Sequence, residues 1–98
     1  MVSLESILNI LKINEKRIRS DFRVKEIAIF GSIVKGKQKK KSDIDILIDF
    51  EKGYKIFDNY MELKFFLEEI LGTKVDLVIK TAIRDEIKDY ILSEAIYV

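Results

Sequence analysis

Asp43 and Asp45 flank Ile44 at the head of a run, Asp43-Ile44-Asp45-Ile46-Leu47-Ile48, in which every other residue is aliphatic. Alternate residues of an extended chain share a face, so the two carboxylates stand side by side with their Cα atoms roughly 6.5 Å apart. Like charges on a mostly buried sheet repel, and a fold keeps them together where a cation lies between them or water reaches both. A pair of divalent cations about 3.5–4 Å apart is one such arrangement, and it clamps the attacking and leaving oxygens of phosphoryl transfer. Asp76 repeats the theme as the lone acid of Val75-Asp76-Leu77-Val78-Ile79, where a buried carboxylate needs a partner. Were the two segments neighbouring strands, Asp76 would be the third ligand.

The other chemistry-bearing residues precede the acids. Gly31-Ser32 closes the apolar stretch Val24 to Phe30, and a glycine at a strand end lets an anion approach the backbone while the next turn offers N–H groups to phosphate oxygens. Ser32 also fits as a helix cap, which does not compete with that role. The chain has no His and no Cys, which removes imidazole and thiolate ligands and leaves oxygen donors suited to Mg²⁺, Mn²⁺ or Ca²⁺.

Elements that would position these groups follow in order. Ser3 precedes Leu4, Ile7, Leu8, Leu11 and Ile18, a spacing that predicts a helix to about Arg19. Val24 to Phe30 reads as a strand, followed by a short helical turn to Gly36. Ser42 to Phe50 alternates, with Ile44, Ile46, Ile48 and Phe50 on a core face and Asp43, Asp45, Leu47 and Asp49 on an acidic one. A helix from about Ile56 to Leu71 stops at Gly72, a third strand spans Lys74 to Ile79, and a last helix spans Arg84 to Leu92. Ala95 to Val98 fits a helix end, a strand or a tail. The expected fold is α/β, a small mixed sheet of three or four strands with helices packed mainly on one face, in a single domain over residues 1–98.

Gly31-Ser32, ten intervening residues, Asp43-Ile44-Asp45 and a later strand acid together resemble the DNA polymerase β-like nucleotidyltransferase superfamily. With 98 residues the chain is similar to its minimal nucleotidyltransferases, antitoxins paired with HEPN-domain ribonuclease toxins. The resemblance implies transfer of AMP from ATP to a hydroxyl, a tyrosine, of a cognate HEPN toxin. It implies two Mg²⁺ ions held by Asp43 and Asp45, with Asp76 on the catalytic ion and helping to deprotonate the acceptor, and a triphosphate at Gly31, Ser32 and Lys35. Where the family often has Ala-Arg-Gly, Val34-Lys35-Gly36 stands here, keeping the charge and losing arginine's planar fork.

Two rivals stand beside that reading. One is a binding-only antitoxin that occludes the toxin; the other is a transferase for a small molecule or an RNA end, which so short a chain hardly provides with a pocket. The net charge of +1 gives no drive toward stable nucleic-acid binding, although four of the five residues 37–41 are lysine, a cluster that fits ATP, RNA, a partner or a solvated loop. No apolar run reaches the roughly 18 residues of a membrane span, and no leader pattern opens the chain, so a cytoplasmic location is expected. The apolar helix surface suggests a homodimer or a hetero-oligomer with the toxin. Tyr54, Phe57, Tyr60, Phe65 and Phe66 are expected in the core and at a partner interface.

Overall fold

A computed structural model describes residues 3–37, 43–54 and 57–98. The chain opens with α1 (Leu4–Ile13), held at its start by a reciprocal cap in which the Ser3 hydroxyl accepts from the Ser6 N–H at 3.1 Å and the Ser6 hydroxyl accepts from the Ser3 N–H at 3.2 Å. The predicted single helix to Arg19 is two. Asn14 departs from helical geometry, and its side-chain amide donates to the Ile10 carbonyl at 2.8 Å, competing with the next helical turn as short polar side chains do. The chain resumes as α2 (Glu15–Asp21), which still buries Ile18.

Strand β1 (Val24–Phe30) coincides with its predicted bounds, and β2 (Ile44–Phe50) begins at the first aliphatic residue after Asp43. Helix α3 (Phe57–Leu71) carries the chain over the sheet to β3 (Val75–Ile79), so β2 and β3 pair in parallel whereas β1 and β2 pair antiparallel. A parallel pair requires such a crossover. After a 3₁₀ turn at Lys80–Ala82, α4 (Asp85–Glu94) leads into a two-residue strand β4 (Ile96–Tyr97) that pairs antiparallel with β1. The sheet is mixed, four-stranded, in the order β3-β2-β1-β4.

Three helices cover one face. Ile7, Leu11, Ile18, Leu63 and Leu67 pack on Ile27, Ile29, Ile44, Ile46 and Ile48, all at most 1 % exposed, which is the inward set that strand alternation dictates. The opposite face, expected to be acidic, is in part apolar and covered. Leu47 is 2 % exposed and forms a second cluster with Ala28 and Phe30, closed by Ile83, Ile91, Leu92 and Ala95 from α4 and its flanks. At one end of that face Asp43 is exposed and Asp45 half-buried. Leu47→Ala should therefore cost about 2–4 kcal/mol, as for a core leucine. Urea denaturation checks this, since a solvent-facing residue would change stability by no more than about 0.5 kcal/mol. No helix among the described residues is long and apolar enough to cross a membrane.

Candidate active site

The carboxylates meet through strand register. Phe30 lies opposite Asp45 across the β1–β2 pair, and Asp45 lies opposite Asp76 across the β2–β3 pair. One row across the sheet thus carries both acids, with Gly31 just beyond its end. Asp43 immediately precedes β2 and is exposed, Asp45 is half-buried, and Asp76 is exposed. Three segments that are remote in sequence converge because β3 returns parallel to β2.

Electrostatics register the crowding. The Asp45 carboxyl is raised from the ordinary 3.8 to about 6, first by burial, next by the charge of Asp76 and a hydrogen bond with it, then by the charge of Asp43. A backbone hydrogen bond from Ser32 acts the other way. Burial and two neighbouring carboxylates all disfavour its charged form. The donor set of oxygens, with like charges side by side, fits a hard divalent cation. Among the described residues no group of three or more acidic side chains is placed so that it could hold a metal ion; the two acids that the sheet sets in register are Asp45 and Asp76.

Gly31 makes this packing possible. Its φ is +80°, and a Cβ built on it would lie 2.1 Å from Asp45 Oδ2. The following residues form a compact turn in which the Gly31 carbonyl accepts from the Val34 and Lys35 N–H groups at 3.1 and 3.2 Å. The predicted helical turn to Gly36 is therefore present. Its leading amides, however, are engaged by protein carboxylates: Ser32 N–H by Asp45, and Gly31 N–H by Glu94 Oε1 at 3.2 Å.

Lys35 is itself part of that turn. Its ammonium pairs with Glu94 Oε2 at 3.2 Å, donates to the Tyr90 hydroxyl and lies 4.6 Å from the centroid of that ring. The Tyr90 bond and then Glu94 raise its pKa. Of the lysine cluster, Lys37 is exposed, and residues 39–41 lie outside the described residues. On α3 the Tyr60 hydroxyl donates to the Leu77 carbonyl at 2.6 Å, and its pKa is raised by burial and by the charge of Asp76, so it anchors the main chain next to that acid. Phe66 is in the core against Phe22, whereas Phe57 and Phe65 are exposed at 75 % and 59 %.

Glu94 and Tyr90 escaped sequence reading. Both lie on a helix more than fifty residues beyond the turn they touch, and neither departs from the ordinary pattern of a surface helix. The pairing of Ile96–Tyr97 with β1, which draws the end of α4 to the turn, is the only signal, and two residues carry no periodicity.

Known proteins give this geometry a context. The nucleotidyltransferase domain family matches residues 9–98. Protein adenylyltransferase MntA of Thermococcus cleftensis is 43 % identical over 98 residues, covering 100 % of this chain and 98 % of that one. A Methanocaldococcus jannaschii chain assigned as a protein adenylyltransferase is 43 % identical over 100 residues, covering 100 % of both. Among solved structures, one described as a minimal nucleotidyltransferase superimposes with a TM-score of 0.77 at 27 % identity, covering 97 % of this chain and 95 % of that one. A toxin–antitoxin structure with AMP-PNP superimposes at 0.66 and 24 % identity, covering 93 % and 68 %, and at that identity it speaks to the fold alone.

Proposed function

The chain belongs to the nucleotidyltransferase domain family, and from that premise we propose that it is an antitoxin that transfers AMP from ATP to a tyrosine hydroxyl of a HEPN-domain ribonuclease toxin. The observation that carries the reading is the row Phe30-Asp45-Asp76, which sets two acids in register beside the Gly31-Ser32 turn. Support for a protein acceptor comes from the Thermococcus relative, named a protein adenylyltransferase over its whole length. Support for the toxin comes from a structural neighbour described as a tri-AMPylated Shewanella oneidensis HEPN toxin in complex with an MNT antitoxin.

In this reading Asp43, Asp45 and Asp76 hold Mg²⁺, and Gly31, Ser32 and Lys35 receive the triphosphate. Bound Mg²⁺ supplies Lewis-acid stabilisation of charge on the phosphoryl oxygens. The acceptor oxygen attacks the α-phosphorus, the bond to the β-phosphate oxygen breaks, pyrophosphate leaves, and the acceptor's proton departs through Asp76, the exposed end of the row. The open sheet end matches an acceptor delivered by another protein, because a side chain on a partner's surface needs no enclosed pocket.

Incubation with radiolabelled ATP, Mg²⁺ and a cognate HEPN-domain protein tests this. Label should appear on the partner and fall to background with the Asp43→Ala/Asp45→Ala double variant. Absence of label while the partner's ribonuclease stays suppressed would replace transfer by occlusion, and label on RNA or on a small molecule instead would reassign the acceptor.

A further inference from the structure

Two of the donors read as triphosphate contacts, the Gly31 N–H and the Lys35 ammonium, are shared by one carboxylate. Glu94 Oε1 accepts from the Gly31 N–H and Glu94 Oε2 pairs with Lys35 Nζ, both at 3.2 Å, a two-oxygen engagement of the kind a phosphate makes. The Glu94 side chain is only 14 % exposed against 36 % for Lys35, so the acid, more than the base, is enclosed. It is the last residue of α4, fixed from behind by the Ala95 N–H to Ile91 carbonyl bond at 3.1 Å and by the pairing of Ile96 with Ile29. The Tyr90 hydroxyl, one turn back on the same helix, also accepts from Lys35 Nζ.

We propose that Glu94 is an internal competitor for the nucleotide, a carboxylate that occupies the phosphate-receiving donors of the turn and sets ATP affinity by having to be displaced. The inference rests on the reading of Gly31 and Lys35 as triphosphate contacts. A phosphate that arrives while Glu94 is in place meets a negative charge, an engaged Gly31 N–H and an ammonium already paired with that charge, so binding requires the carboxylate to swing away. If the donors are engaged in about nine molecules of ten, apparent affinity is about tenfold weaker than that of the freed turn. Glu94 is on this account a specificity-determining residue for anion occupancy, acting through the turn rather than on the reacting atoms.

Titration calorimetry of ATP with Mg²⁺ into the full chain decides it, using wild type, Glu94→Gln and Glu94→Ala. Glu94→Ala should bind ATP about tenfold more tightly, and Glu94→Gln, which loses the charge but keeps an oxygen for the Gly31 N–H, should bind more tightly by a smaller factor; either variant keeps the comparison available if the other does not fold. A merely structural Glu94 predicts the opposite sign, because a loosened turn binds more weakly. Unchanged or weaker ATP binding in folded variants, with wild type still binding and labelling its partner, overturns the inference and leaves the proposed function standing. Absence of ATP binding and of labelling in all three proteins overturns both.

Discussion

Asp45→Asn should reduce nucleotidyl transfer roughly a thousandfold and at the same time stabilise the metal-free protein at pH 8. The first effect follows from losing a charged oxygen at the centre of the acidic row. The second follows from the environment of that oxygen: half-buried, opposite Asp76 and next to Asp43, it has its carboxyl raised from 3.8 to about 6. A group that holds its proton more tightly when folded favours the folded state fully below about pH 3.8. That contribution is lost as pH rises through about 6 and stays lost above. The asparagine amide keeps an oxygen for the Ser32 N–H and carries no charge, so it escapes the loss. A two-unit shift corresponds to about 3 kcal/mol, but half of this carboxylate faces water and screening reduces the expected gain to about 1 kcal/mol. Thermal melts in chelator at pH 8 and pH 4 check the claim. The variant should melt higher at pH 8, with the advantage shrinking toward pH 4. A variant less stable at pH 8, or one that still labels the partner, would remove the crowded carboxylate from the centre of the mechanism.

Gly31→Ala should be the most damaging change that leaves every charge in place. Its methyl would sit 2.1 Å from Asp45 Oδ2 and 2.9 Å from Cγ, at a backbone φ of +80°. Alanine in that left-handed region costs about 1 kcal/mol by itself, and relief of the contact pushes the Asp45 side chain out of line with Asp76. A loss of about 2–3 kcal/mol in stability and about a hundredfold in transfer is expected. Gly72→Ala separates the two causes, because Gly72 also has positive φ (+68°) but nothing lies within 4 Å of its added Cβ. That control should lose only the backbone contribution and keep full transfer. Equal behaviour of the two variants in urea denaturation and in the labelling assay would mean that the Gly31–Asp45 contact does not matter.

The pieces of the site that were legible in the sequence are those written in local pattern. β1 is a β-branched and aromatic run stopped by Gly31, and the alternation after Asp43 placed Ile44, Ile46 and Ile48 inward, where all three are fully buried. Asp76 stood out because an acid in an aliphatic strand calls for a reason, and the parallel pairing with β2 sets it against Asp45. Long-range packing hid the rest. Leu47 looked like a member of the acidic face until α4 covered it. Asn14 split the first helix through a side-chain bond that hydrophobic spacing does not register. Glu94 reaches Gly31 across 63 residues of sequence, a separation over which no local rule operates.

The return of β3 alongside β2 also orders the site in time. The β1–β2 hairpin pairs residues close in sequence and can close early, whereas Asp76 joins Asp45 only after the α3 crossover docks, and β4 reaches Ile29 from position 96. Contacts of such long span are the late and slow ones. A chain translated only as far as α3 therefore holds the Gly31-Ser32 turn with Asp43 and Asp45 but not Asp76, and Glu94 follows later still. The pairing of Asp76 with Asp45 and the contact of Glu94 with Gly31 both wait on segments that follow α3.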